Sequence, residues 1–198
     1  MSSKRKSLLI KSILIDFDGT LVDSEYANFC AYEKAIRELG LQFNSNRLRE
    51  ILIGKHWSHF LPIILEDRYS QSLGELIANR KKDLYPDFYN KITLNFKLIE
   101  IVKRYPKMNR GIVSNANRTT IDSILSFFNL KEEFPLIICP NSSLKPKPSP
   151  DTYLSAIHKI NSPISEVIVV EDSKTGFEAA RKAKLNCLYV QEFLDEYF

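Results

Sequence analysis

The chain has 198 residues, 44% of them hydrophobic and 11% aromatic, enough for one domain with a filled core or a core with a modest insertion. Its net charge of +4 comes from 28 basic and 24 acidic residues, and part of the excess sits in the start "SSKRK", read as a solvated tail. No basic block interleaved with aromatics points to nucleic acid, no apolar run reaches the ~18 residues of a membrane span, and no signal-peptide core follows the basic start. A cytoplasmic protein without nucleic-acid or membrane partners is the expectation. Cys30, Cys139 and Cys187 are odd in number, far apart and without metal spacing, so they read as buried thiols of a reducing compartment.

In chain order, "LLIKSILIDFDGTLVDSE" (residues 8–25) is an apolar run that ends in two aspartates. If the chain stays extended, Asp16 and Asp18 point to the same side. Two carboxylates held together repel unless something positive sits between them. Asp18-Gly19 alone is an ordinary turn dipeptide, but a turn does not account for Asp16.

Residues 25–92 are charged and helical in pattern, with no convincing strand. "EYANFCAYEKAIRELG" places Tyr26, Phe29, Ala35, Ile36 and Leu39 near one face and stops at Gly40. "LREILIGKHWSHFLPIILEDRY" and "SLGELIANRKKDLYPDFYNKI" complete a helical block. His56 and His59 lack a third metal ligand and read as surface or packing residues. Trp57 reads as a packing or hinge residue, and Tyr85, Phe88 and Tyr89 as packing against the core. "KLIEIVKRY" (97–105) returns to the core.

From residue 108 strands and helices alternate. "RGIVSNA", "PLIIC", "EVIVVED" and "CLYV" are strands; "RTTIDSILSFF", "PDTYLSAIHKI" and "KTGFEAARKAK" are helices. Continuous apolar strands separated by helices argue for a parallel sheet covered on both faces.

Ligands of such sheets bind beyond the carboxyl ends of the strands. The first strand delivers Asp16 and Asp18 there, the second Ser114 and Asn115, and the fourth Glu171 and Asp172. The loop after the third, "LKPKPSPD", delivers Lys145 or Lys147. Four acids at one edge need a divalent cation, and an all-oxygen set suits Mg²⁺ rather than zinc. A hydroxyl and a lysine beside that cation suit a phosphate group. Capping of the next helices accounts for Ser114-Asn115 and Glu171-Asp172 one at a time, but not for the convergence.

"DFDGTLVDSE", "VSNA", "KPSPDTY" and "VVEDSKTGFEAARKA" resemble, in order and over nearly the whole chain, the four motifs of the haloacid dehalogenase-like (HAD) hydrolase superfamily, in its phosphatase and phosphoglucomutase branch. The resemblance implies an α/β fold, a Rossmann-like parallel sheet core (1–24 and 93–198) with an inserted α-helical cap domain (25–92). It implies Asp16 as nucleophile and Asp18 as acid and base. Asp16, the Asp18 carbonyl and Asp172 would hold Mg²⁺, with Glu171 either a further ligand or the group that orients the metal site. Ser114, the Asn115 backbone and a lysine would hold the phosphoryl oxygens. The family pattern of a lysine directly before Pro-x-Pro-Asp selects Lys147; Lys145 also precedes Pro-x-Pro, with Ser149 where the acid is expected. "LIGKHWSH" resembles the cap's specificity loop, which makes Lys55 a substrate-binding candidate.

The expected activity is Mg²⁺-dependent hydrolysis of a small phosphorylated metabolite through an aspartyl-phosphate. Dehalogenases generally lack the second aspartate, present here as Asp18. Hexose-phosphate mutases of this design have histidine where Asn28 stands and arginine where Trp57 stands. For phosphonate hydrolysis Lys55 is a candidate, but its surroundings do not match. A non-catalytic phosphate-binding scaffold of the same fold is the alternative from another class. Neither the substrate nor the oligomeric state follows from the residues.

Overall fold

The computed structural model describes residues 9–190, so the basic start lies outside the described residues. In chain order the elements begin with β1 (Ser12–Ile15) and a short β2 (Val22–Asp23), followed by α1 (Glu25–Glu38), α2 (Ser45–Ile51), α3 (Trp57–Leu65) and α4 (Gln71–Leu84). A 3-10 segment (Tyr85–Lys91) and β3 (Thr93–Leu94) lead into α5 (Phe96–Arg104), β4 (Asn109–Val113), α6 (Arg118–Phe127) and β5 (Leu136–Ile138). Then come α7 (Asp151–Ile160), β6 (Val167–Glu171), α8 (Lys174–Lys182) and β7 (Asn186–Tyr189). Ser24–Thr93 forms one unit, and the chain on either side of it forms the other.

The five longer strands make one parallel sheet in the order β5-β4-β1-β6-β7. All four residues of β1 are buried, and three of them, Ile13, Leu14 and Ile15, are the apolar run read from the sequence. The two faces follow from the period of two along a strand. Leu14, Val113, Ile138, Val169 and Cys187 belong with Tyr153 and Ala156 of α7 and Ala179 and Ala180 of α8 in one apolar cluster. Ile13, Ile168, Val170 and Leu188 have the opposite parity. With Leu98 and Ile101 of α5 they line a cavity of about 1040 Å³, which no aspartate or glutamate among the described residues borders.

In the helical unit, Phe29, Ile36, Leu48, Phe60, Leu61, Leu65 and Ile77 form a separate core, with Trp57 and Phe88 packed against it. Phe88 thus serves the core of its own unit. The expected helical block around "LIGKHWSH" is divided: α2 ends at Ile51 and α3 begins at Trp57. Gly54 takes a left-handed φ of +62°, and His56 is extended and accepts from the Ser58 N–H as the cap of α3. The cysteines are unpaired and only half-buried, not buried as expected. No helix among the described residues is long and apolar enough to cross a membrane.

Candidate active site

β1 lies at the middle of the sheet, between β4 and β6, where the connections run off to opposite sides and open a crevice. The register pairs Ile15 with Ile112 on one side and with Val170 on the other, so three strand ends reach one level. The Asp16 N–H donates to the Val170 carbonyl at 3.0 Å, which carries the pairing one residue past the strand. Beyond Asp16 the chain does not stay extended. Leu21 and Val22 both donate to the Phe17 carbonyl, and Phe17 is fully buried. Asp16 is buried and Asp18 exposed, with the fully buried Phe17 between them, and the charge of Asp18 still acts on Asp16.

Lys147 occupies the space between the strand ends and is only 6% exposed. Its Nζ donates to Asp16 Oδ1 at 2.5 Å, Glu171 Oε1 at 2.5 Å and the Val113 carbonyl at 2.6 Å, which uses all three ammonium hydrogens. The Asn115 side chain holds the backbone of this lysine from both sides. Its Oδ1 accepts from Lys147 N at 2.8 Å and its Nδ2 donates to Lys147 O at 3.2 Å. Lys145 turns out to solvent, and its backbone N–H donates to Asp151. Ser114 is buried, and its Oγ accepts from the Ala116 N–H at 3.1 Å.

Glu171 continues the parity of Val169, so its side chain descends toward α7 and α8. It is fully buried. Besides Lys147 it accepts from Tyr153 Oη at 2.7 Å and from Ser173 Oγ at 3.1 Å. Gly176 stands so close that a Cβ there would overlap the Glu171 carboxylate. Asp172 accepts from Thr20 Oγ1 at 2.7 Å and lies against Gly19, whose φ of +84° and lack of Cβ let the backbone pass. Tyr153, Ser173 and Thr20 received no role from the sequence. A tyrosine among the small buried residues of α7 was a signal for the first, and the side chains that cap helices hid the second.

Asp16, Glu171 and Asp172 each present a carboxylate oxygen within 4.8 Å of the others. Burial pushes the Asp16 carboxyl up to about 8; Lys147 opposes this, while the charges of Glu171 and Asp18 add to it. Burial would lower Lys147, but Asp16 and Glu171 outweigh it and hold the ammonium above its ordinary value. Asp172 is raised as well, chiefly by burial. The upward direction for Asp16 follows first from burial and then from one ammonium serving two buried carboxylates with a third alongside. Such an excess of hard oxygen donors fits a small divalent cation. Lys55 lies in the exposed loop between α2 and α3, within the helical unit, with its N–H donating to the Leu52 carbonyl at 3.1 Å.

A parallel sheet with acids converging at its central strand end, joined to a helical unit inserted after that strand, is the architecture of capped Rossmann-like hydrolases. Residues 13–190 match the haloacid dehalogenase-like hydrolase family, and the chain belongs to that family. It is 24% identical over 184 residues to a phosphorylated carbohydrates phosphatase of Thermotoga maritima, covering 91% of this chain and 84% of that one. It is 23% identical over 184 residues to a beta-phosphoglucomutase of Bacillus subtilis, covering 88% and 80%. In fold it is similar to CbbY of Rhodobacter sphaeroides crystallised with phosphate, with a TM-score of 0.76 at 22% identity over 93% of this chain and 88% of that one.

Proposed function

We propose that the protein is a Mg²⁺-dependent phosphomonoesterase that acts on a small phosphorylated metabolite through a phosphoryl group carried on Asp16. The observation that carries this reading is the buried Asp16 beside a lysine that is anchored independently by Val113 and Glu171. A carboxylate so placed is a nucleophile whose charge can move onto phosphorus while a fixed cation stays beside it. Phosphatase and phosphate-bound relatives of the same fold support it.

In this reading an Asp16 oxygen attacks phosphorus and the ester P–O bond breaks. The electron pair leaves with the substrate oxygen, which takes a proton from Asp18. Water then gives a proton to Asp18 and attacks the same phosphorus, and the bond to Asp16 breaks to release phosphate. Lys147, the Ser114 hydroxyl and the Asn115 backbone hold the phosphoryl oxygens. Asp16, Asp172 and the Asp18 carbonyl would hold Mg²⁺, which when bound supplies positive charge against the phosphoryl oxygens. We assign Glu171 to orienting Lys147, since its oxygens are already engaged by Lys147, Tyr153 and Ser173. Ser24–Thr93 serves as the cap, with Lys55 contributing to substrate selection. Three unpaired cysteines support a reducing, cytoplasmic setting.

A mutase reading draws support from the phosphoglucomutase relative. It is weakened by Asn28 and by Trp57, whose ring is packed in the core of the helical unit and against Gly74. Hydrolysis of p-nitrophenyl phosphate, followed by a panel of sugar phosphates, phosphoglycolate, glycerol phosphates and nucleoside monophosphates, tests the proposal. Mg²⁺-dependent phosphate release is the expected result. Interconversion of hexose phosphates without release would favour the mutase, and neither activity would favour a scaffold.

A further inference from the structure

Tyr153 touches both halves of the Lys147–Glu171 ion pair. Its hydroxyl donates to Glu171 Oε1 at 2.7 Å, the same oxygen that takes the ammonium at 2.5 Å. The Lys147 Nζ also lies over the Tyr153 ring, 5.2 Å from its centre. The side chain is fully buried in the cluster between sheet and α7, away from bulk solvent. Within the phosphatase reading, on which this inference rests, we propose that the Tyr153 hydroxyl is a positioning group that keeps the Lys147 ammonium shared between Glu171 and the nucleophile.

Each hydrogen of the ammonium has one acceptor: Asp16, Glu171 and the Val113 carbonyl. How the cation divides itself between two carboxylates depends on how much negative charge each presents. Asp16 is buried beside it with few other donors, whereas Glu171 is served by Tyr153 at one oxygen and by Ser173 Oγ at the other. The phenol withdraws charge from Oε1, and the ammonium is held less tightly on that side. As Asp16 bonds to phosphorus, the hydrogen facing it turns to a phosphoryl oxygen, while Val113 and Glu171 keep the nitrogen in place. Without the phenol, Glu171 would draw the ammonium toward itself, away from the position where charge develops. Ground-state binding of the ester depends on that position less than the transition state does, so the loss falls on kcat.

Tyr153→Phe keeps the ring and its packing and removes only the hydroxyl. The expected result is a fall in kcat for p-nitrophenyl phosphate of about tenfold, the factor that corresponds to one ordinary hydrogen bond. KM and the Mg²⁺ concentration for half-maximal rate should stay within about twofold. The same change made in Glu171→Gln should lower kcat no further, because the group through which Tyr153 acts is already altered. If Tyr153→Phe does not fold, the Glu171→Gln/Tyr153→Phe pair compared with Glu171→Gln alone carries the test: equal kcat supports the proposal and a further loss overturns it. An unchanged kcat in Tyr153→Phe, or equal losses in both backgrounds, overturns it while wild-type turnover leaves the phosphatase reading standing. A wild type that hydrolyses no phosphate ester overturns both.

Discussion

Lys147 and Lys55 are both lysines in polar loops flanked by residues that bend the chain, and both were marked by the sequence as contacts for a phosphorylated substrate. Lys147 is 6% exposed and has three acceptors within 2.6 Å. Lys55 is exposed in the loop between α2 and α3. A buried ammonium costs several kcal/mol of lost hydration and persists only where carboxylates and carbonyls replace water. An exposed one keeps its water and costs the fold little, so its position is loosely determined. The sheet edge places a charge to within a hydrogen bond, whereas the loop between α2 and α3 leaves its charge to solvent.

The largest break in that comparison is at the nucleophile. Asp16→Asn should reduce phosphate release to background, because an amide does not attack phosphorus, yet leave the unfolding temperature equal or higher. It removes one of two buried carboxylates that share a single ammonium. Calorimetry with a phosphate-release assay on one preparation measures both; substantial residual turnover would refute Asp16 as nucleophile.

Lys147→Ala comes next, and it strikes activity and stability together. Losing a preorganised charge at the transferring group costs on the order of 10²-fold or more in kcat. Leaving Glu171 buried without its cation costs roughly 3–5 kcal/mol. Lys145→Ala, at an exposed side chain, should stay within about 0.5 kcal/mol and change kcat little. Small, equal effects from both would mean that neither lysine reaches the phosphate.

The titration of the site sharpens the contrast without a mutation. In the folded, metal-free protein Asp16 titrates near 8 rather than at 3.8, so the folded state holds this proton more firmly than the unfolded chain. Its contribution to stability is complete below about pH 4 and is lost as the pH rises toward 8. Lys147, raised from an already high value, titrates above this window. Unfolding temperatures of the EDTA-treated protein should therefore fall between pH 5 and 8, and Mg²⁺ should recover most of the loss. Asp172→Ala should weaken that recovery, since it removes one carboxylate of the trio. A recovery equal in wild type and variant would exclude Asp172 as a ligand.

The smallest effect expected at a residue of the proposed site is at Lys55. Lys55→Ala should leave the unfolding temperature unchanged and alter kcat/KM unequally, by about tenfold or less, across a panel of phosphate esters. If all substrates fall by one common factor, this residue does not select among them.

Local sequence determined the elements of the core and the identity of the acids. Strands buried on both faces must be apolar throughout, so "SILI" and "VIVVE" announced themselves, and the polar residues that ended each run marked the ligand edge. The same local logic failed where a helix stops for reasons of backbone shape: Gly54 and His56 interrupt a pattern whose hydrophobic spacing continues across them. It also left open how deeply each acid lies: a turn closed on the Phe17 carbonyl leaves Asp16 buried and Asp18 exposed. Which lysine enters the site was a question of register that two overlapping Lys-Pro-x-Pro patterns left open. The tertiary structure decided it through the Asn115 amide, which grips the backbone of Lys147 from the loop after β4, 32 residues away. Tyr153, Ser173 and Thr20 were decided in the same way. A hydroxyl carries no sign of its partner along the chain, and only the packing of α7, α8 and the β1 turn against the strand ends brings each one to its carboxylate.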